Sequence, residues 1–228
     1  MLIDDTILRL QGVLRENLKT VVRFILPFGT PKENLLVVLQ KEAPNVSTAY
    51  TAVGIDLLKQ VNLLCLRETD LFQLALPSPD VAALSRPYWI KYDGTVIFGD
   101  DIRSIVPLHK NPHRLLDYHY DHIYASRHRI LHYLIQHRYQ ELVVGLHHNR
   151  LLLMCTALLQ QRTWRVYPET VIPQFIEMFP DEKLAHNLRR FSNLQGWNSD
   201  LHPCTEEAAL KSVWLFEGFV RRLRELSQ

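Results

Sequence analysis

Two hydrophobic rhythms divide this chain. Up to about residue 106, short apolar runs are separated by polar turns. Beyond residue 112, apolar positions recur every three or four residues. The first stretch opens with a helix that Asp4 or Asp5 can cap, with Ile7, Leu8, Leu10, Val13, Leu14 and Leu18 along one side. Val21 to Leu26 is β-branched and aromatic, which predicts a strand. Leu35 to Leu39 is continuously apolar, as expected of a strand covered on both faces. Ser47 to Gln60 reads as a helix weakened by Gly54, Val61 to Leu66 as a third strand, and Leu71 to Leu76 as helical. Arg86 to Tyr92 and Thr95 to Phe98 read as strands joined at Asp93-Gly94, a hairpin turn signal.

The second stretch predicts helices only. Arg114 to Arg138 carries Leu116, Tyr120, Ile123, Ile130, Leu131 and Leu134 on one face. Leu142 to Leu159 is a strongly apolar helix interrupted only by Gly145 and His147-His148-Asn149-Arg150. Pro168 suits the first residue of a third helix ending near Phe179, and Asp181 caps a fourth that runs to about Phe191. Thr205-Glu206-Glu207 starts a fifth that reaches about Leu226. The expected class is α+β, with a mixed sheet and flanking helices over residues 1–106 and an antiparallel helical bundle over 112–228. Pro107 and Pro112 bracket the polar junction, and all eleven histidines lie at or beyond His109.

Composition changes this picture little. The charged fraction of 22% and the hydrophobic fraction of 47% are those of an ordinary globular chain, and a formal charge of +2 does not single out a polyanionic partner. Cys65, Cys155 and Cys204 are far apart, which argues against a disulfide framework or a cysteine-rich zinc site. No apolar run is expected to reach the ~20 residues needed to cross a bilayer. The start, Met1-Leu2-Ile3-Asp4-Asp5, lacks the basic and apolar regions of a signal peptide, so a cytoplasmic location is expected.

Candidate chemistry concentrates between Phe24 and Leu39: an apolar strand, the turn Phe28-Gly29-Thr30-Pro31-Lys32, then Glu33, Asn34 and a second apolar strand. This segment resembles the opening of the nucleotidyltransferase fold, the DNA polymerase β-like superfamily. There a strand ends in Gly-Ser, and the next strand begins with two carboxylates one residue apart that bind Mg²⁺. Tyr92 to Asp101 is similar to a second segment of small bacterial nucleotidyltransferases, a Gly-x-Val-Leu-Tyr-Gly-Glu-Asp strand that precedes a helical domain. The resemblance implies nucleotide binding by Phe28, Gly29, Thr30 and Lys32, with ATP or GTP as ligand in a cleft between the domains. It puts Glu33 and Asn34 at the catalytic positions. Lys32 and Asn34 stand where the family has its two carboxylates, so the chain departs from the pattern where Mg²⁺ would sit. Val61 to Leu66 carries none of the family's third carboxylate, and Glu68 or Asp70 are the nearest substitutes.

Three functions remain open from the sequence. The leading one is a nucleotidyltransferase-like protein that binds nucleotide with degenerate or absent catalysis. The second is an active Mg²⁺-dependent transferase that moves a nucleoside monophosphate to a small-molecule or protein hydroxyl, with Glu33 in register and Glu68 or Asp70 as a further ligand. The third is a dimerising interaction module of antitoxin or HEPN type, acting as a homodimer or with a protein partner. Neither a membrane nor a nucleic acid is an expected partner.

Other patterns are less informative. Arg127 and His132 match the Arg-x₄₋₆-His spacing of HEPN ribonucleases, but five residues apart on a helix they point about 140° from one another. His119 with His122, and His128 with His132, have metal-ligand spacing without an evident third ligand. Arg189-Arg190 and Arg221-Arg222-Arg224 read as helix-end charges, and Trp164, Trp197 and Trp214 as core or interdomain anchors.

Overall fold

The computed structural model describes residues 2–26, 33–41, 46–110, 112–125, 127–161, 169–195 and 204–227. The chain divides into two compact units between Lys110 and Asn111. In chain order the first contains α1 (Leu2–Leu14), β1 (Leu18–Ile25), β2 (Glu33–Leu39), α2 (Ser47–Val53), α3 (Ile55–Leu58), β3 (Val61–Arg67), α4 (Val81–Asp93) and β4 (Thr95–Gly99). The second contains α5 (Pro112–Ala125), α6 (Arg127–Ile135), α7 (Tyr139–Gln160), α8 (Val171–Met178), α9 (Glu182–Gln195) and α10 (Glu206–Leu226). The α+β class expected from the hydrophobic pattern is the one observed.

The four strands form a mixed sheet in the order β3-β2-β1-β4. Strand β1 pairs antiparallel with both β2 and β4, and β2 pairs parallel with β3. Because side chains alternate across a sheet, Val21, Leu35, Val37, Val61 and Cys65 share one face. There they form a buried cluster with Leu10 and Leu14 of α1 and Ala49 and Val53 of α2. Val22, Leu36 and Val38 are buried on the opposite face, where α4 packs against β1. This two-sided cover explains why β2 reads as a continuous apolar run.

The segment Arg86 to Tyr92 is not a strand. It belongs to α4, where Val81, Leu84 and Tyr88 are buried at helical spacing and Pro87, Trp89 and Ile90 are buried as well. Asp80 starts the helix by accepting from Ala82 N–H at 3.1 Å. The predicted hairpin at Asp93-Gly94 is therefore a helix-to-strand junction. Gly94 has an ordinary extended backbone, and what excludes a side chain there is proximity: an added Cβ would lie 2.3 Å from the Ile90 carbonyl oxygen and 2.8 Å from Val22 Cγ1. Other differences are local. Gly54, at φ +79°, divides Ser47 to Gln60 into α2 and α3, and Glu68–Ala75 is a run of 3₁₀ turns. Asp4 and Asp5 lie within the first turn of α1, and Leu18 belongs to β1.

In the second unit, six helices stand among the described residues where five were expected. Arg114 to Arg138 is two helices, α5 and α6, and Pro168 lies outside the described residues. Helix α6 ends in a Schellman turn. His137 sits in the left-handed region (φ 56°), its N–H bonds the Leu134 carbonyl, and Arg138 N–H bonds the Tyr133 carbonyl. The expected caps of the later helices are present: Asp181 Oδ1 accepts from Leu184 N–H at 2.8 Å, and Thr205 Oγ1 accepts from Ala208 N–H at 3.2 Å. Asp181 also accepts from Arg222, which joins the start of α9 to the last turns of α10.

Helix α7 is the centre of this unit and contacts α5, α6, α8 and α10. Every residue from Leu152 to Leu159 is buried, so this stretch is enclosed all round, and its one polar side chain, Thr156, donates to the Leu152 carbonyl. Against the sequence expectation, α7 is long and apolar enough by composition to cross a bilayer, but 67% of its most apolar window is buried within the protein, as in a core helix. It also carries a fully buried Arg150, whose guanidinium donates to His147 Nδ1 at 3.1 Å. Because arginine only donates, the His147 proton sits on Nε2.

Burial, with added repulsion from Arg150 and then His148, lowers the His147 pKa from 6.5 to about 4. Between those values the unfolded chain binds a proton that the folded chain refuses, so stability is lost as pH falls from 6.5 towards 4. Discounted for the partial exposure of the ring, the loss from this residue is about 2 kcal/mol. Urea unfolding at neutral and acid pH should show that His147→Gln, which keeps an acceptor for Arg150, removes this part of the acid sensitivity. An equal acid loss in the variant would assign the effect elsewhere.

Candidate functional site

The N-terminal ends of β2 and β3 lie side by side. Asn34 stands opposite Phe24 on β1 and Asn62 on β3, and Glu33 stands opposite Ile25 and Val61. Paired residues share a face, so Phe24, Asn34 and Asn62 lie on the α4 side. Glu33 lies on the other side, at the rim of the α1–α2 core. No register shift occurs along β2 near these residues, since the irregularity with β1 falls between Leu18 and Thr20. Glu33 and Asn34 therefore point to opposite faces.

Each has a defined neighbour. Asn62 Nδ2 donates to Asn34 Oδ1 at 3.2 Å, and Asn34 is only 6% exposed. Glu33 Oε1 is 3.9 Å from Arg23 NH1, a diagonal cross-strand pair with both side chains 44% exposed. A pair this open contributes little to stability. Phe28, Gly29, Thr30 and Lys32 lie outside the described residues. Asn62 was not singled out from the sequence. Its signal was its position, second in β3 as Asn34 is second in β2, which becomes meaningful only once the two strands are known to pair in parallel.

Glu68 and Asp70 follow the far end of β3. Because β2 and β3 run parallel from Glu33↔Val61 to Leu39↔Arg67, Glu68 is separated from Glu33 by the length of the strand. At ~3.3 Å per residue that is about 20 Å, whereas ligands of one cation lie within about 2.6 Å of it. Glu33 therefore cannot share a metal ion with Glu68 or Asp70. Glu68 instead pairs with Lys19, and Asp70 accepts from Thr69 Oγ1 at 3.4 Å. Lys19 and Glu68 line a polar groove with Lys41 and Asp100 at that end of the sheet.

The Tyr92 to Asp101 segment forms the end of α4 and all of β4. Gly99, at φ +78°, faces the β1 backbone so closely that an added Cβ would meet the Lys19 carbonyl. Beyond it, Asp101 accepts from the backbone N–H, Nε and NH2 of Arg103, whose hydrogen bonds hold the carboxyl down at about 2. Arg103 NH1 also donates to the Gly94 carbonyl at 2.8 Å, which ties the two ends of β4 together.

No protein-family model matches this chain, and no curated protein does. Among solved structures it is similar to spectinomycin adenyltransferase AAD(9) from Enterococcus faecialis, solved with ATP and spectinomycin. The identity is 13%, the TM-score 0.46, and the match covers 96% of this chain and 98% of that one.

The other candidate residues of the sequence lie in the helical unit. His119 is fully buried, the His128 ring faces the Ala125 carbonyl oxygen at 2.9 Å, and no group of three metal-ligating side chains occurs among the described residues. The Arg127 side chain lies outside the described residues. Two of the basic side chains of the later helices stack on aromatic rings, Arg190 5.6 Å from the Trp214 ring and Arg224 5.8 Å from the Tyr120 ring, while Arg222 pairs with Asp181 and Glu225. Trp214 is 63% exposed and so is not a core anchor, while Trp164 and Trp197 lie outside the described residues. Burial raises the thiols of Cys65 and Cys155 to about 12, which makes them poor nucleophiles at neutral pH.

Proposed function

We propose that this is a nucleotidyltransferase-like protein that binds a nucleoside triphosphate through the Phe28–Lys32 turn and has impaired or absent catalysis. The observation that carries this reading is the Asn34–Asn62 pair. At the start of the strand where the resemblance implies metal-binding carboxylates, two neutral carboxamides hydrogen-bond to each other. Phosphoryl and nucleotidyl transfer rest on cations that neutralise charge developing on the phosphates. Mg²⁺ usually requires at least one or two carboxylates, and amide oxygens bring no charge. Glu33 faces the other side of the sheet, beside Arg23. The residues described here thus do not fit a Mg²⁺ centre, and no catalytic step is assigned to one.

Nucleotide binding is still expected from the turn itself. Gly29 lets backbone N–H groups approach a phosphate, Thr30 supplies a hydroxyl, and Lys32 a charge that acts without metal. Calorimetric titration with Mg²⁺-ATP and Mg²⁺-GTP tests this. Binding of one nucleotide that Gly29→Trp abolishes, without release of pyrophosphate, is the expected result. The absence of heat with both would overturn nucleotide binding. Mg²⁺-dependent release of pyrophosphate would overturn the catalytic part and restore the active-transferase reading.

A further inference from the structure

A cavity of about 300 Å³ opens within the helical unit where α5, α6 and α7 meet. Its size lies at the lower end of the range for small-molecule sites, enough for a ligand of one or two rings. Leu142 and Leu146, both buried on α7, and Ile130 of α6 supply an apolar lining. His122 of α5, Arg129 and Tyr133 of α6, and His148 and Asn149 of α7 supply the polar part, and no carboxylate lines the space among the described residues. We propose that this cavity binds a small organic anion with an apolar, ring-sized body, of which an aromatic carboxylate is the simplest example.

Gly145 is the second observation. It lies inside α7 and in the cavity wall, where glycine is unfavourable relative to alanine. Its backbone does not require glycine, since its φ is not positive, and neighbours do not either, since an added Cβ would meet nothing within 4 Å. By contrast, a Cβ on Gly94 or Gly99 would strike backbone. What glycine does at 145 is leave one wall without a side chain, so that a flat apolar group can lie against the helix.

The opposite wall is held in position. Tyr133 lies under the Arg138 guanidinium at 5.1 Å, Arg138 bonds Glu141 at 2.9 Å, and the Schellman turn at His137 fixes how α6 meets α7. A site whose walls are already ordered loses less conformational freedom when a ligand enters. The charge at the rim selects the anion. A carboxylate near Arg129 can form a bidentate ion pair, whereas an isosteric amide offers one neutral acceptor oxygen and no charge.

Calorimetry on the full chain with cinnamate, and with cinnamamide as its neutral isostere, tests the proposal. Saturable binding of cinnamate at a single site is expected, with the amide weaker by about 10-fold or more. Arg129 is exposed, so Arg129→Gln should fold normally and lower cinnamate affinity by about 10-fold. Gly145→Leu should abolish binding by filling the space, and Gly145→Ala, which favours the helix, should weaken it only modestly. Circular dichroism and thermal unfolding establish that each variant is folded. The proposal is overturned by no cinnamate binding up to about 1 mM, by equal affinity for acid and amide, or by affinity unchanged in Arg129→Gln. If Gly145→Leu proves unfolded, the acid–amide comparison and Arg129→Gln decide alone.

Discussion

Replacing Asn34 and Asn62 together by aspartate is expected to cost about 3 kcal/mol of stability at pH 8 without divalent cations, and millimolar Mn²⁺ is expected to restore most of it. Asn34 is almost fully buried, and its Oδ1 accepts from Asn62 Nδ2 at 3.2 Å. Two aspartates there would set two like charges within a few ångströms, with one of them buried. Asn34→Asp alone should cost less, about 1 kcal/mol, because Asn62 still donates to the new carboxylate. The two substitutions should therefore be non-additive by about 1 kcal/mol or more in a double-mutant cycle. A cation bridging both carboxylates would reverse the loss, with a gain near 2.7 kcal/mol at a concentration 100-fold above its Kd. Urea unfolding with and without Mn²⁺ measures each quantity. Additive effects with no response to metal would mean that positions 34 and 62 do not form one site. A strong response would mean that this end of the sheet keeps the geometry of a metal centre and lacks only the charge.

The second large effect is expected at Gly99. Gly99→Ala should destabilise the protein by about 3–4 kcal/mol, from two independent sources. The backbone there has φ +78°, which costs an L-residue about 1–2 kcal/mol. An added Cβ would also lie 1.9 Å from the Lys19 carbonyl oxygen and 2.9 Å from Thr20 Cα. These are backbone atoms of the neighbouring strand, so relief requires β4 to move away from β1, at about 1–3 kcal/mol for overpacking. The hydrogen bonds Asp100 N–H to Lys19 carbonyl (3.3 Å) and Thr20 Oγ1 to Phe98 carbonyl (2.9 Å) lie at the same crossing and would weaken with it. Thermal or urea unfolding tests this, with Gly12→Ala as control. Gly12 lies in α1 with nothing within 4 Å of an added Cβ, so alanine there should stabilise by up to about 1 kcal/mol. A loss at Gly99 below about 1 kcal/mol would show that the two strands do not approach so closely.

How much of this was legible depends on whether the cause is local. The strands Val21 to Leu26 and Leu35 to Leu39 announced themselves because burial on one or both faces leaves its pattern in consecutive residues. The caps at Asp181 and Thr205 were legible for the same reason, since a cap binds an amide three residues away. Helix α4 was misread because the segment Arg86 to Tyr92 omits Val81 and Leu84, which make its helical spacing visible.

The candidate site was legible only in outline. The residues that carry the resemblance stand in sequence between Phe28 and Asn34, but the partner of Asn34 lies 28 residues away. Glu68 and Asp70 looked like substitutes because they follow the next strand, and the parallel direction of β3 carries them to the wrong end of the sheet. The sequence by itself determined the α+β class, the change from strands to helices near residue 107, and that Lys32 and Asn34 are not the carboxylates the resemblance would put there. The first two follow from periodicity and residue type over short spans, and the third rests on the resemblance. Only the tertiary structure decided that Asn34 faces Asn62, that Glu33 turns away beside Arg23, that Gly99 is pressed against β1, and that Gly145 lines a cavity. Each depends on strand direction, register or helix packing between distant residues, and none of these is written in any short stretch of the chain.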